Sequence, residues 1–121
     1  MIRHINWYCG WGLILAAFAV GAGLGLCFHR DEFWGGYASW RRRLSRLGHI
    51  AMAALGLVNV VYSLSPAPSA VAGAMLLAGA VAMPSVCFLS AWRKPLRYLF
   101  FIPVTLLVLA IVLILVSGSH P

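Results

Sequence analysis

Side-chain carboxylates are scarce in this 121-residue chain: Asp31 and Glu32 are the only two, and they stand side by side. No apolar run therefore contains Asp or Glu. The embedded carboxylate that proton-coupled pumps and cation exporters use is missing, which argues against small multidrug-exporter chemistry despite the similar length. The three cysteines, Cys9, Cys27 and Cys87, include no CxxC pair. That argues against both a dithiol redox centre and a disulfide framework, leaving them as small apolar side chains. The LGLC stretch at 24–27 has Leu26 where lipid attachment at a cysteine requires a small residue. No Ser, His and Asp arrangement and no Gly-rich phosphate loop occurs either, so the sequence offers nothing for an enzyme acting alone.

What is abundant is apolar. With 63% hydrophobic residues, a mean hydropathy of +0.94 and 9% charged residues, the chain has too little polar surface for a soluble globule. It reads as an integral membrane protein. The formal charge of +7 would point to nucleic acid in a soluble domain. Here the charges sit at the ends of apolar segments, so the expected partners are the bilayer and anionic lipid headgroups, with no nucleic acid.

Four apolar runs define an all-α, single-domain architecture with helices at about 7–28, 44–64, 69–92 and 98–117, arranged as two hairpins of a four-helix bundle. The first run is long enough, at roughly 33 Å, to cross a bilayer and too long for the core of a signal peptide. Ala17, Gly21 and Gly25 give it a small-residue ridge for close helix packing. Residues 29–48 form the one sizeable polar stretch. In it Phe33, Tyr37, Trp40, Leu44 and Leu47 recur at helical spacing among arginines, as in a basic amphipathic segment lying in the headgroup plane, with Gly35 and Gly36 breaking its start. Arg41, Arg42, Arg43 and Arg46, with Trp40 as aromatic anchor, are the candidate lipid-binding residues. Each cation near an anionic surface is worth about 1 kcal/mol. The plainer alternative is a solvated basic loop with an aromatic belt.

The second helix carries two faces. His49, Met52, Ala53, Gly56, Asn59 and Ser63 fall on one stripe, and Ile50, Ala54, Leu57, Val58 and Val61 on another, as expected where one side meets helices and the other lipid. SLSPAPSA then makes an uncharged turn, and Pro84 is expected to kink the third helix. Of nine Lys and Arg, five lie between helices one and two, three between helices three and four, and one before helix one. The positive-inside rule puts both basic loops in the cytoplasm and both termini outside, and the arginine-rich composition fits a bacterial inner membrane.

That topology places Cys27, His29, His49, Met52, Met83 and Cys87 in one leaflet. His29 and His49, each heading or continuing a small-residue ridge, are the candidate axial ligands of a b-type haem, and Asn59 is a candidate hydrogen-bond donor to a quinone. Cys27, Met52, Met83 and Cys87 are alternative ligands for a soft metal. Against these stands ordinary core filling by Met and Cys. Two functions of different class follow. One is a non-catalytic accessory or anchoring subunit of a larger membrane complex, such as one of electron transfer, packed against other subunits or itself. The other is a haem-, metal- or quinone-binding electron carrier, with a transporter of an uncharged small molecule as a more distant reading.

Overall fold

The computed structural model describes residues 1–117, and its regular structure there is entirely helical. The helices are α1 (Ile2–Phe28), α2 (Trp40–Ser63), α3 (Ala70–Trp92) and α4 (Phe101–Val116), with short 3-10 turns at Phe33–Gly35 and Lys94–Phe100. α1, α2, α3 and the segment Lys94–Val116 are each long and apolar enough to cross a membrane. The chain is an integral membrane protein with a four-helix bundle, as its composition indicates.

Several boundaries differ from the sequence reading, each for a local reason. α1 starts at Ile2, before the apolar run begins at Trp7, because its first polar residues have partners in the bundle. The Arg3 guanidinium donates to the carbonyls of Ser65 and Pro66 at 3.0 and 3.2 Å, and Asn6 is fully buried. α2 starts at Trp40, because the Ser39 hydroxyl accepts the Arg42 backbone N–H at 3.2 Å and caps the helix there. The basic segment is thus the opening of α2 itself and no separate in-plane helix. Before it, the chain reverses through Trp34, Gly35 and Gly36, all at positive φ. α3 stays helical across Pro84, and the Ser85 hydroxyl donates to the Val81 carbonyl at 2.6 Å. Residues 94–100 wind as 3-10 turns, so α4 begins at Phe101, later than the expected Tyr98.

α2 and α3 form the centre, with α1 packed mainly on α2 and α4 on α3. Glycines set these crossings. A Cβ at Gly56 would lie 2.8 Å from the Gly10 carbonyl oxygen, and one at Gly10 would lie 2.7 Å from the Gly56 carbonyl oxygen, so the α1 and α2 backbones touch there. At Gly48, a Cβ would come within 3.0 Å of Cys87 Cβ on α3. At Gly79 it would overlap Leu107 of α4. Without a hydrophobic drive between helices in lipid, close approach of this kind holds them together. The two faces expected for α2 are present: Met52, Gly56, Asn59 and Ser63 are buried, whereas Ile50, Ala54, Leu57, Val58 and Val61 are exposed.

Polar groups join three helices in the half of the bundle nearer the N-terminus. The Asn6 amide donates to Asn59 Oδ1 at 2.7 Å and to the Gly73 carbonyl at 3.1 Å. Asn59 in turn donates to the Leu55 carbonyl of its own helix at 2.9 Å and to the Leu76 carbonyl of α3 at 3.4 Å. At the nearby turn, the Tyr62 hydroxyl donates to the Ser69 carbonyl at 3.1 Å and accepts the Ser69 N–H at 2.7 Å.

Candidate functional site

The two histidines take different places. His49 packs its ring on α1 at Gly21, where a Cβ would lie 2.6 Å from its Nε2. His29 follows α1, is exposed, and its Nδ1 pairs with the Leu26 carbonyl at 2.6 Å. Gly21 and His29 are eight residues apart, or about 12 Å along a helix axis. Axial imidazoles on one iron stand about 4 Å apart, twice a metal–nitrogen bond, so the arrangement does not offer His29 and His49 as a haem pair. The packing ridge explains the difference. Ala17 and Gly21 do meet the bundle, but at Gly25 a Cβ would touch nothing within 4 Å, so the ridge has rotated away before His29.

Asn59 is likewise committed. Its oxygen accepts from Asn6 and its amide donates to two carbonyls, which leaves no donor for a quinone. Among the soft side chains, Cys87 is buried against Gly48, Met52 is buried, and Cys27 and Met83 are half-buried. Among the described residues no group of three or more His, Cys, Asp or Glu converges as a metal site.

The arginines of the basic segment divide by role. Arg42, expected at the headgroups, is only 3% exposed. It donates to the Phe28 carbonyl at 2.6 Å and lies 4.3 Å from the centre of the Phe28 ring, so it closes the free end of α1. Arg46 is tied to the Tyr37 carbonyl at 3.1 Å and sits over the Tyr37 ring. Arg41 and Arg43 remain exposed. Trp40 is half-buried, its indole N–H donating to the Ser90 carbonyl at 2.9 Å, which binds the start of α2 to the end of α3.

Around Trp40 the structure assembles what the linear sequence kept apart. Trp34, Trp40 and Trp92 wall an open crevice of about 490 Å³ together with Arg41 and Lys94. A smaller recess of about 150 Å³ shares Trp34, Arg41 and Trp92 and adds Ser45 and Phe88. Trp34 adopts φ 53° and ψ 36°, a left-handed conformation that is unusual for a bulky aromatic and costs on the order of 1 to 3 kcal/mol. The Ser39 hydroxyl holds it by donating to the Trp34 carbonyl at 2.7 Å while capping α2. One hydroxyl thus starts the helix and fixes a wall of the crevice. Trp92 and Lys94 were not legible as members, since they lie more than fifty residues from Trp34 and only the α2–α3 pairing brings them near.

The geometry defines a polytopic membrane protein with a basic, aromatic crevice at one end of a small bundle. Comparison with family models, with curated proteins and with solved structures finds no match for the chain.

Proposed function

We propose that the protein is a non-catalytic accessory subunit that packs against the transmembrane helices of a larger membrane complex. The observation that carries this reading is the outward face of α1. Cys9, Gly12, Ala16, Ala19 and Gly23 alternate three and four residues apart on a face roughly 130° around the helix from Asn6, Gly10, Ala17 and Gly21, which face the bundle. A Cβ at Gly12 or Gly23 would meet nothing within 4 Å. Small side chains offer lipid little apolar area, whereas between helices they permit backbone contact of the kind Gly10 and Gly56 make inside this bundle. The outward residues of α4, Val108, Ile111, Val112 and Leu115, are large aliphatics and suit lipid.

Full-length protein extracted from its native membrane in mild detergent is expected to co-purify with other membrane polypeptides in fixed stoichiometry. Gly12→Val combined with Gly23→Val should release it while its own helicity and resistance to denaturation stay those of the wild type. Recovery of the wild type as a lone monomer from the same membranes would sink the reading.

The same proposal includes an orientation. Of the nine Lys and Arg, four lie in the α1–α2 and α3–α4 connections and four in the first two turns of α2, so eight gather at one end of the bundle, and the positive-inside rule assigns that end to the cytoplasm of a bacterial inner membrane and both termini to the outside. A C-terminal alkaline phosphatase fusion should be active and a C-terminal green fluorescent protein dark; the opposite pair of results would reverse the orientation.

A further inference from the structure

Four of the eight cations near the basic end of the bundle already have local aromatic or carbonyl partners. Arg42 is spent on Phe28 and Arg46 on Tyr37, while Arg93 and Arg97 lie over the rings of their own neighbours Trp92 and Tyr98, at 4.8 and 4.7 Å. Arg41 and Lys94 instead line the crevice. Lys94 Nζ is 6.0 Å from the centre of the Trp40 ring, at the outer limit of a cation–π contact. The only two carboxylates of the chain, Asp31 and Glu32, line a separate corner beside Arg30 and Phe33, so no acidic side chain answers the charge in the crevice. Behind the cations the walls become apolar, with Trp34, Trp92 and Phe88 around the inner recess.

We propose that this crevice binds an anionic phospholipid, its phosphate between Arg41 and Lys94 and its glycerol and first acyl carbons against Trp34, Trp92 and Phe88. The chemistry matches at each depth. Two cations and the nearby N-terminal end of α2 favour a phosphate, and indole rings favour the boundary where headgroup gives way to hydrocarbon. The site lies where α2 begins and α3 ends, at the end of the membrane crossings, so a lipid of the adjoining leaflet reaches it without leaving the bilayer. The fixed turn at Trp34 gives the ligand a formed wall. This inference is independent of the subunit reading, because the α1 face that carries that reading is elsewhere.

The test is native mass spectrometry of the full chain from micelles holding equal amounts of phosphatidylglycerol and phosphatidylcholine. The wild type should retain phosphatidylglycerol preferentially. Arg41→Gln and Lys94→Gln should each cut that preference about fivefold, the equivalent of one interfacial charge, whereas Arg43→Gln, outside the crevice, should change it less than about twofold. Trp92→Ala, at an exposed ring, should weaken retention with both cations still present, and circular dichroism should show all four variants as helical as the wild type. An Arg43→Gln loss as large as that of Arg41→Gln would reduce the site to a diffuse basic belt and overturn the proposal. Full retention in Trp92→Ala, or displacement of the lipid by an equal concentration of inorganic phosphate, would overturn it as well.

Discussion

Gly56→Val should weaken the α1–α2 hairpin more than any other single exchange considered, by about 3 kcal/mol, the upper part of the range for overpacking a core. The first branched carbon would sit 2.8 Å from the Gly10 carbonyl oxygen, 3.0 Å from Ile14 Cγ1 and 3.1 Å from Leu13 Cβ. Two of these are backbone or first-carbon atoms that cannot turn aside, so the helices must separate. Intrinsic propensity works in the opposite direction, since Val is a slightly better helix former than Gly, but by only a few tenths of a kcal/mol. The clash therefore decides the sign. Helicity followed by circular dichroism through a titration of mild detergent with dodecyl sulfate measures the effect. Gly12→Val is the control, because it makes the same propensity change where a Cβ meets nothing. Equal midpoints for Gly56→Val and Gly12→Val would show that the close crossing contributes nothing to stability.

The same glycines show why some of the fold was readable and some was not. Span number and approximate position follow from runs of apolar residues, and these report a bulk property of each segment. Which side of a segment faces protein is a smaller signal. On α2 it was legible, because Asn59, Gly56 and Ser63 contrast with the exposed Leu57, Val58 and Val61. On α1 small residues occupy two faces, and the linear reading followed Ala17, Gly21 and Gly25 along a four-residue step that drifts by about 40° each time. The true packing face steps through Asn6, Gly10, Ala17 and Gly21, at intervals of four and seven that stay in line. Asn6 was its clearest marker, a polar residue one turn before a glycine, and it fell outside the run that hydropathy delimits. The basic segment posed a different obstacle. Nothing in four closely spaced arginines distinguishes Arg42 from Arg41; only the end of α1 arriving beside α2, with its Phe28 carbonyl unpaired within the helix, turns one into a buried cap and leaves the other exposed.

Asn6 and Asn59 should prove energetically coupled, and the sign of that coupling separates a working polar clasp from two incidental amides. Asn59→Leu removes the acceptor of the 2.7 Å bond from α1 and the donor of the 3.4 Å bond to α3. Interhelical hydrogen bonds in membrane proteins average about 0.6 kcal/mol and reach about 1.7. Loss of those bonds alone is therefore modest. The larger cost comes from what remains: Asn6 is fully buried, its Oδ1 already has no hydrogen-bond partner, one of its amide hydrogens loses Asn59 while the other keeps the Gly73 carbonyl, and an unpaired buried polar group costs about 1 to 3 kcal/mol. The single change is accordingly expected to cost about 2 to 3 kcal/mol. Asn6→Leu with Asn59→Leu removes both stranded groups and substitutes apolar side chains of similar size, so the double variant should lose about 1 to 2 kcal/mol less than the sum of the single losses. A dodecyl sulfate titration of the four proteins of the cycle supplies the comparison. Strict additivity would mean that the two amides do not act together, and that the closeness of α1, α2 and α3 at this level rests on the glycine contacts alone.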